Sequence, residues 1–388
     1  MRALGTGHSF NDIADTPGDL VSVAGLPPVV EVDATAGTVT VSAGLRFGEV
    51  AAHLHEAGFA LHNLGSLPHI SIAGACATGT HGSGRGNGSL ATAVRSFEMV
   101  AGDGELVTVG RADADFAGSV VALGMLGIVT KMTLDTVPAF DVQQWVYEGL
   151  PEVVLREQFD EVMSAAYSVS LFTDWRTDRI GQVWLKHHVG PEGPKSVAQE
   201  WLGATLSDGP RHPLPGISPE PCTQQLGVPG PWHTRLPHFR LDFTPSNGDE
   251  LQSEYFVARE DAAAAFDALG KIRALITPVL QVGEIRAVAG DGLWLSTVYR
   301  RDSVAFHFTW IADTGAVTPV LRVIEEALKP FAARPHWGKL FTVGPEVLRP
   351  LYPRFDDFQR LAAKSDPAGK FRNVFIERVF GAADWAVG

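Results

Sequence analysis

Gly5-Thr6-Gly7-His8-Ser9-Phe10 stands within the first ten residues of this 388-residue chain, and Gly65-Ser66-Leu67-Pro68-His69-Ile70-Ser71-Ile72-Ala73-Gly74 leads later into Thr78-Gly79-Thr80-His81-Gly82-Ser83-Gly84. Glycine permits positive-φ turns and close backbone approach, and Ser and Thr hydroxyls add donors, so both stretches suit a phosphate. A dinucleotide, held by its pyrophosphate, is the guest this predicts. The ordinary nicotinamide fingerprint fits badly. Phe10 takes the third glycine position after Gly5 and Gly7, and no strand–turn–helix unit follows.

Composition narrows the partners. With 45% hydrophobic and 19% charged residues the chain is long enough for two or three domains and a sizeable core. A formal charge of −13 without a Lys/Arg cluster disfavours nucleic acid, whose affinity rests on phosphate contacts. The apolar run Val120–Val129 is too short to span a bilayer, and the N-terminus lacks a basic-then-apolar leader pattern. Cys76 and Cys222 form neither a disulfide framework nor a paired zinc spacing. The expectation is a cytoplasmic monomer acting on a small molecule, with no metal and no membrane.

Along the chain, Val29–Asp33 and Thr38–Ser42 about Thr35-Ala36-Gly37 read as a hairpin, and so do Ser96–Val100 and Glu105–Val109 about Asp103-Gly104. Phe47, Val50, Ala51 and Leu54 share one face of a helix that stops at Gly58. His53 and His55 are two apart on it and point to different sides, which argues against a metal pair. A helix over Ser119–Met125 and a strand over Ile128–Leu134 follow. From about residue 138 the pattern changes. A helix near Glu152–Ala165 and strands Ser168–Thr173 and Gln182–Lys186 precede an irregular Pro/Gly-rich segment, Gly209–Pro237, the kind of stretch that forms a lid or surface connection. Then come strand Leu251–Val257, helix Asp261–Ile276, strands Val279–Ala289 and Ser303–Trp310, and helix Thr318–Leu328 with Thr318 as N-cap and Pro319 at its first position. This is an α+β chain whose second part is a cap on an antiparallel sheet.

Strand alternation turns Glu284 and Arg286 to one face, and Ser303, Ala305, His307 and Thr309 to one face of the next strand. If the two strands are neighbours, Glu284, Arg286, His307 and Thr309 make a polar floor for a polyhydroxylated ligand, because carboxylate accepts from vicinal hydroxyls and guanidinium donates as a fixed fork. An exposed face with a cross-strand ion pair, worth little, is the alternative.

Taken in order, Gly-x-Gly-His-Ser, Ser66-Leu67-Pro68-His69-Ile70-Ser71 and Ala77-Thr78-Gly79-Thr80-His81-Gly82 resemble the vanillyl-alcohol-oxidase-type family of FAD enzymes. The C-terminal Asp366-Pro367-Ala368-Gly369-Lys370-Phe371-Arg372-Asn373 resembles the closing motif of its sugar-oxidising members. The resemblance implies a two-domain FAD-linked oxidase fold: residues 1–137 binding FAD, 138–345 forming the substrate cap and 346–388 returning to the FAD domain. Family members carry a strand–helix–strand unit, roughly 30 residues, before the first turn. Only Met1–Leu4 precede it here, so an FAD domain shortened at its N-terminus is expected.

Resemblance to the alditol-oxidising members covers nearly the whole chain and implies roles residue by residue. His8 is the histidine bonded to the flavin 8α carbon. FAD contacts fall on Ala3, Leu4, Gly5, Thr6, Gly7, His8, Ser9, Ser66, Ser71, Gly74, Thr78, Gly79, Thr80, His81, Val129, Arg286, Thr309 and His336. Polyol contacts fall on Ser66, Glu284, Arg286 and Lys339. Arg286 and Lys339 would stabilise a developing alkoxide. His307 is a candidate proton acceptor or a hydrogen-bonding neighbour. Gly65 would leave a path for O2. The implied reaction is oxidation of a terminal alcohol of xylitol, sorbitol or a related polyol, with peroxide released; a sugar-lactone oxidase or dehydrogenase is the nearest rival, and a flavin-binding protein left inactive by the shortened N-terminus is the other.

Overall fold

The computed structural model describes residues 1–243 and 250–381, so the end of the expected 346–388 segment lies outside the described residues. Val30–Asp33 and Thr38–Ser42 form the expected hairpin, with Asp33 Oδ1 accepting from the amides of Thr35 and Ala36 at 2.9 Å each and Gly37 at φ +64°. It continues through Ile128–Asp135 to Val94–Val100 and Leu106–Gly110, giving a five-stranded sheet. Helix Phe47–Glu56 buries Phe47, Val50, Ala51 and Leu54, the face its periodicity predicts.

A second sheet has ten strands, and its centre runs Arg179–His188, Ser168–Thr173, Leu280–Val288, Ser303–Ile311, Glu250–Ala258, each antiparallel to the next. Helices Ala262–Lys271 and Thr314–Leu328 lie on one face, where Trp175 stacks between Phe266 and Phe308 at ring separations of 5.0 and 6.4 Å. Even-numbered Phe306, Phe308 and Trp310 therefore point at helices. The opposite face of the same strands carries His307, and in register with it stand Glu284 and Glu254.

Three local expectations are corrected. Ser119–Met125 is not helical: the helix is Phe116–Ser119, and Leu123 (φ 54°) and Gly124 (φ 68°) turn left-handed so that their carbonyls accept from the Arg2 guanidinium at 2.5 and 3.1 Å. The helix after strand Ser303–Ile311 starts at Thr314, one turn early, because Asp313 Oδ1 caps Ala316 N at 3.0 Å; Thr318 Oγ1 instead bonds Thr314 O at 2.7 Å within the helix. Asp261–Ile276 breaks at Ile272 into Ala262–Lys271 and Arg273–Ile276.

Gly209–Pro237 is irregular as expected, yet it is anchored rather than poised above the sheet. Gly227 N bonds Gln144 O at 2.8 Å, Gly230–Pro231 pairs with strand Asp141–Pro151, and Trp232 and Leu236 are buried. Near the C-terminus, Asn373 Nδ2 donates to the carbonyls of Asp12, Ile13 and Asp15 at 3.0, 3.1 and 2.8 Å, and Arg2 Nη1 reaches Phe371 O at 2.6 Å. The N-terminal strand and its following turn are thereby bound to the loop at residues 371–373.

Candidate active site

The two glycine-rich turns meet. Thr6 Oγ1 accepts from Ser71 N at 3.1 Å and bonds His8 Nδ1 at 3.0 Å. A Cβ on Gly5 or Gly74 would lie 2.6 or 2.8 Å from Ser71 Oγ, so a side chain at either position would have to displace that hydroxyl. Gly7 needs its φ of +69°, and Gly79 ends helix Ile72–Thr78 at φ 70°. Among the described residues the amides of Thr6, Gly7, His8 and Ser9 have no protein acceptor, which leaves a run of N–H groups for an anion. Phe10 N on Gly338 O (2.8 Å) and Asn11 Nδ2 on Trp337 O and Lys339 O (2.9 and 2.7 Å) tie this turn to the loop carrying His336 and Lys339. Thr78 Oγ1 lies 3.3 Å from Thr80 Oγ1, and Val129 is on the adjoining strand Ile128–Asp135.

Across from these turns, three strands of the large sheet present one row of ionisable groups. Arg286 Nη1 donates to Ser66 Oγ at 3.2 Å, Nη2 to Glu254 Oε1 at 2.6 Å, and Nε stands 3.5 Å from Glu284 Oε2. Lys339 Nζ donates to Glu254 Oε2 at 2.8 Å and to His307 Nδ1 at 2.7 Å. The lone pair on His307 Nδ1 is therefore engaged, and its Nε2–H is left for Thr309 Oγ1 at 3.1 Å. His81 Nδ1 donates to Gly82 O at 2.7 Å and Nε2 lies 3.2 Å from Glu254 Oε1; His336 Nδ1 accepts from Gly338 N at 3.1 Å. Glu284 Oε1 bonds His238 Nε2 at 2.8 Å. All of these side chains are buried or nearly so.

The candidate residues thus gather as the alternation predicts, with the two strands adjacent and Glu284 opposite His307. Sequence reading missed Glu254, His238 and Lys186. Glu254 is 1% exposed and anchors both cations; a lone glutamate in the otherwise apolar Tyr255-Phe256-Val257 surroundings was the available signal. His238 follows the Pro-rich segment, and nothing local shows where that segment lands.

A family model described as "FAD binding domain" matches residues 1–110, and one described as "D-arabinono-1,4-lactone oxidase" matches residues 249–379. Over 372 residues the chain is 51% identical to an alditol oxidase of a Streptomyces strain, covering 95% of this chain and 88% of that one. The chain belongs to the alditol oxidase family. An L-gulono-1,4-lactone dehydrogenase of Mycobacterium tuberculosis is 28% identical over 98% of this chain and 90% of its own. Glucooligosaccharide oxidase from Acremonium strictum, described with a 6-S-cysteinyl, 8α-N1-histidyl FAD, superposes with a TM-score of 0.73 at 16% identity, covering 98% of this chain and 86% of that one. The likeness establishes the shared FAD-linked oxidase fold. FAD fits the residues present, since the side-chain-free cradle at Gly5 and Gly74 and the open amides of Thr6–Ser9 suit a pyrophosphate.

Charge in this alditol oxidase family site is set by burial against pairing. Burial alone would raise Glu254; Lys339, then Arg286 and His81, outweigh it and hold the carboxylate well below its usual range. Glu284 behaves likewise under Arg286 and His238. Burial lowers Lys339, with Glu254 opposing, and Arg286 is raised because Glu284 and Glu254 outweigh its burial. His307 is pushed down to about 3 by burial and by Lys339, which leaves it a weak proton acceptor and a support for Lys339. His238 is pushed down to about 4 by burial and Lys186, and burial holds His336 well below its ordinary value.

Those histidines make stability depend on pH. Their folded values lie below the ~6.5 of an unfolded histidine, so the unfolded chain binds more protons between about 6.5 and about 4, and stability rises with pH there. It is fully present above about 6.5 and is lost as pH falls, on the order of 3 kcal/mol by pH 4 for His238 alone. Melting temperatures from pH 7.5 to 4.5 are expected to start falling near 6.5, with a shallower slope in His238→Gln. A flat profile down to pH 5 would contradict this charge assignment.

Proposed function

We propose that the protein oxidises the terminal primary alcohol of alditols such as xylitol and sorbitol to the aldose, with O2 reduced to H2O2. The observation that carries this is the buried floor of Glu284, Arg286 and Lys339 opposite Ser66, with Arg286 reaching the Ser66 hydroxyl at 3.2 Å. In this reading residues 1–137 and the described part of the C-terminal segment, 346–381, would hold the cofactor, and 138–345 would supply the cap. His8 would carry FAD covalently, a reading supported by the histidyl linkage of the Acremonium enzyme; the contacts named at residues 3–9, 66, 71, 74, 78–81, 129, 286, 309 and 336 would enclose it. Bound FAD supplies the two-electron acceptor and passes the electrons to oxygen.

The chain's own residues bind, orient and hold charge. Glu284, kept ionised, accepts from vicinal hydroxyls, as polyols but not simple alcohols require. Arg286 and Lys339 place two positive groups where an alkoxide develops, already oriented by Glu254, so no reorganisation accompanies the reaction. Burial strengthens these interactions by excluding water. At Gly65 a Cβ would meet Ile70 Cδ1 at 3.5 Å and His81 O at 3.7 Å, ordinary contacts that let a side chain enter without unfolding the turn. Gly65 is accordingly proposed as the oxygen path. Two buried free cysteines support a cytoplasmic setting, and among the described residues no helix is long and apolar enough to cross a membrane.

Peroxide release with xylitol and sorbitol, compared with gulono- and galactonolactone, tests the reading. Alditols are expected to give the higher kcat/KM; preference for lactones would transfer the assignment to the lactone-oxidising relatives that residues 249–379 also resemble. In the same assay Gly65→Val is expected to slow oxygen consumption while an artificial acceptor is still reduced. Unchanged oxygen use would remove Gly65 from the account.

A further inference from the structure

Behind the floor, on the side away from Lys339, lies a second buried cation. Lys186, 1% exposed on strand Arg179–His188, has no carboxylate within ion-pair distance among the described residues. Its Nζ donates instead to Leu236 O at 2.5 Å, to Pro237 O at 3.0 Å and to His238 Nδ1 at 3.2 Å. Burial pushes the Lys186 amine down to about 7, and a neutral amine could donate to the two carbonyls while accepting from an Nδ1–H; that tautomer, however, would turn the Nε2 lone pair onto Glu284 Oε1 2.8 Å away, so it is the ammonium, with three N–H bonds for three acceptors, that fits every contact. With Nδ1 accepting, His238 carries its proton on Nε2, which donates to Glu284 Oε1 at 2.8 Å. The segment bearing His238 is also clipped to the cofactor-side turn, because His238 N donates to Ser66 O at 3.0 Å.

We propose that Lys186 is a positioning residue: by donating to His238 Nδ1 it fixes the ring tautomer that holds Glu284 toward the polyol. This deepens the alditol reading and rests on it. Without the lysine donor the tautomer rests on the Glu284 contact alone, and whenever the proton moves to Nδ1 the lone pair left on Nε2 faces the carboxylate and repels it. Ser170 Oγ, 3.4 Å from Nε2, is too weakly placed to hold the tautomer alone. Cys222, Phe172 and Trp184 fill the space around the ring and supply no competing charge at neutral pH: the thiol is pushed up to about 12 by its burial.

A double-mutant cycle on xylitol kinetics tests the relay. The amide of a glutamine at 238 donates to Glu284 from nearly the Nε2 position and has no tautomer to lose. Lys186→Met is therefore expected to raise KM about tenfold with kcat changed less than threefold, whereas adding it to His238→Gln raises KM less than threefold further. The same factor in both backgrounds, the mark of a lysine that merely braces Leu236 and Pro237, overturns the proposal. If Lys186→Met does not fold, His238→Gln against His238→Met decides. A tenfold higher KM in the methionine variant alone supports the relay, and equal values overturn it. A wild-type enzyme inert toward every alditol strikes the function and leaves the relay readable in the ¹⁵N shifts of His238, assigned by their loss in His238→Gln. An Nε2–H ring is expected, and an Nδ1–H ring would refute the relay.

Discussion

Lys339→Met is expected to lower kcat/KM for xylitol by about 10² to 10³, the usual consequence of deleting one preorganised donor at a site of developing negative charge. Two of the Lys339 N–H bonds go to Glu254 Oε2 and His307 Nδ1, and among the described residues the third finds no acceptor. That third bond is the one a substrate oxygen can take. Methionine keeps the length and apolar stem of lysine but carries no charge, so packing is largely conserved while the donor disappears. Glu254 retains Arg286 at 2.6 Å, which keeps its carboxylate compensated. The loss should fall mainly on kcat, because stabilisation confined to the transition state lowers kcat and kcat/KM together. Melting temperature and bound-flavin absorbance serve as controls. A kcat/KM within threefold of wild type, with both controls normal, would move the alkoxide-stabilising role to Arg286 alone.

How far the sequence exposed this site depends on whether the cause was local. Period-two alternation in Leu280–Val288 and Ser303–Ile311 places Glu284, Arg286, His307 and Thr309 correctly, since a strand's facing rule needs no knowledge of its partner. The hairpins at residues 30–42 and 94–110 were legible for the same reason. Glu254 sits on a strand that was recognised, but its meaning comes from standing in register with His307, a pairing across more than fifty residues that no local pattern encodes. Lys186 and His238 are joined only after the Gly209–Pro237 segment folds back, and loop closure of that length leaves no periodic trace. Where local signals competed, the reading failed. Thr318-Pro319 looks like a helix start, yet Asp313 five residues earlier supplies the carboxylate that captures a free amide. Leu123-Gly124 looks helical by composition, yet Arg2 draws both carbonyls out of line.

His8→Ala is expected to abolish covalent attachment of FAD altogether: after acid precipitation the yellow colour should remain with wild-type protein and pass entirely to the supernatant in the variant. The geometry around His8 favours a nucleophilic ring. Thr6 Oγ1, which accepts from Ser71 N, lies 3.0 Å from His8 Nδ1 and fixes the orientation of the ring. Burial lowers the His8 pKa, and proximity to His69 lowers it further, so the imidazole is neutral at physiological pH with a lone pair to give. An imidazolium would have none. The fold does not depend on this side chain, which is only partly buried at a turn whose shape is fixed by Gly5, Gly7 and Ser71. The alanine variant should therefore melt close to the wild-type apoprotein and take up FAD reversibly, with activity restored in part by added cofactor. Flavin that stays with the precipitated variant would place the bond on another side chain. Flavin released quantitatively from the wild-type enzyme would show that the cradle of glycines and open amides holds the cofactor without a covalent tether.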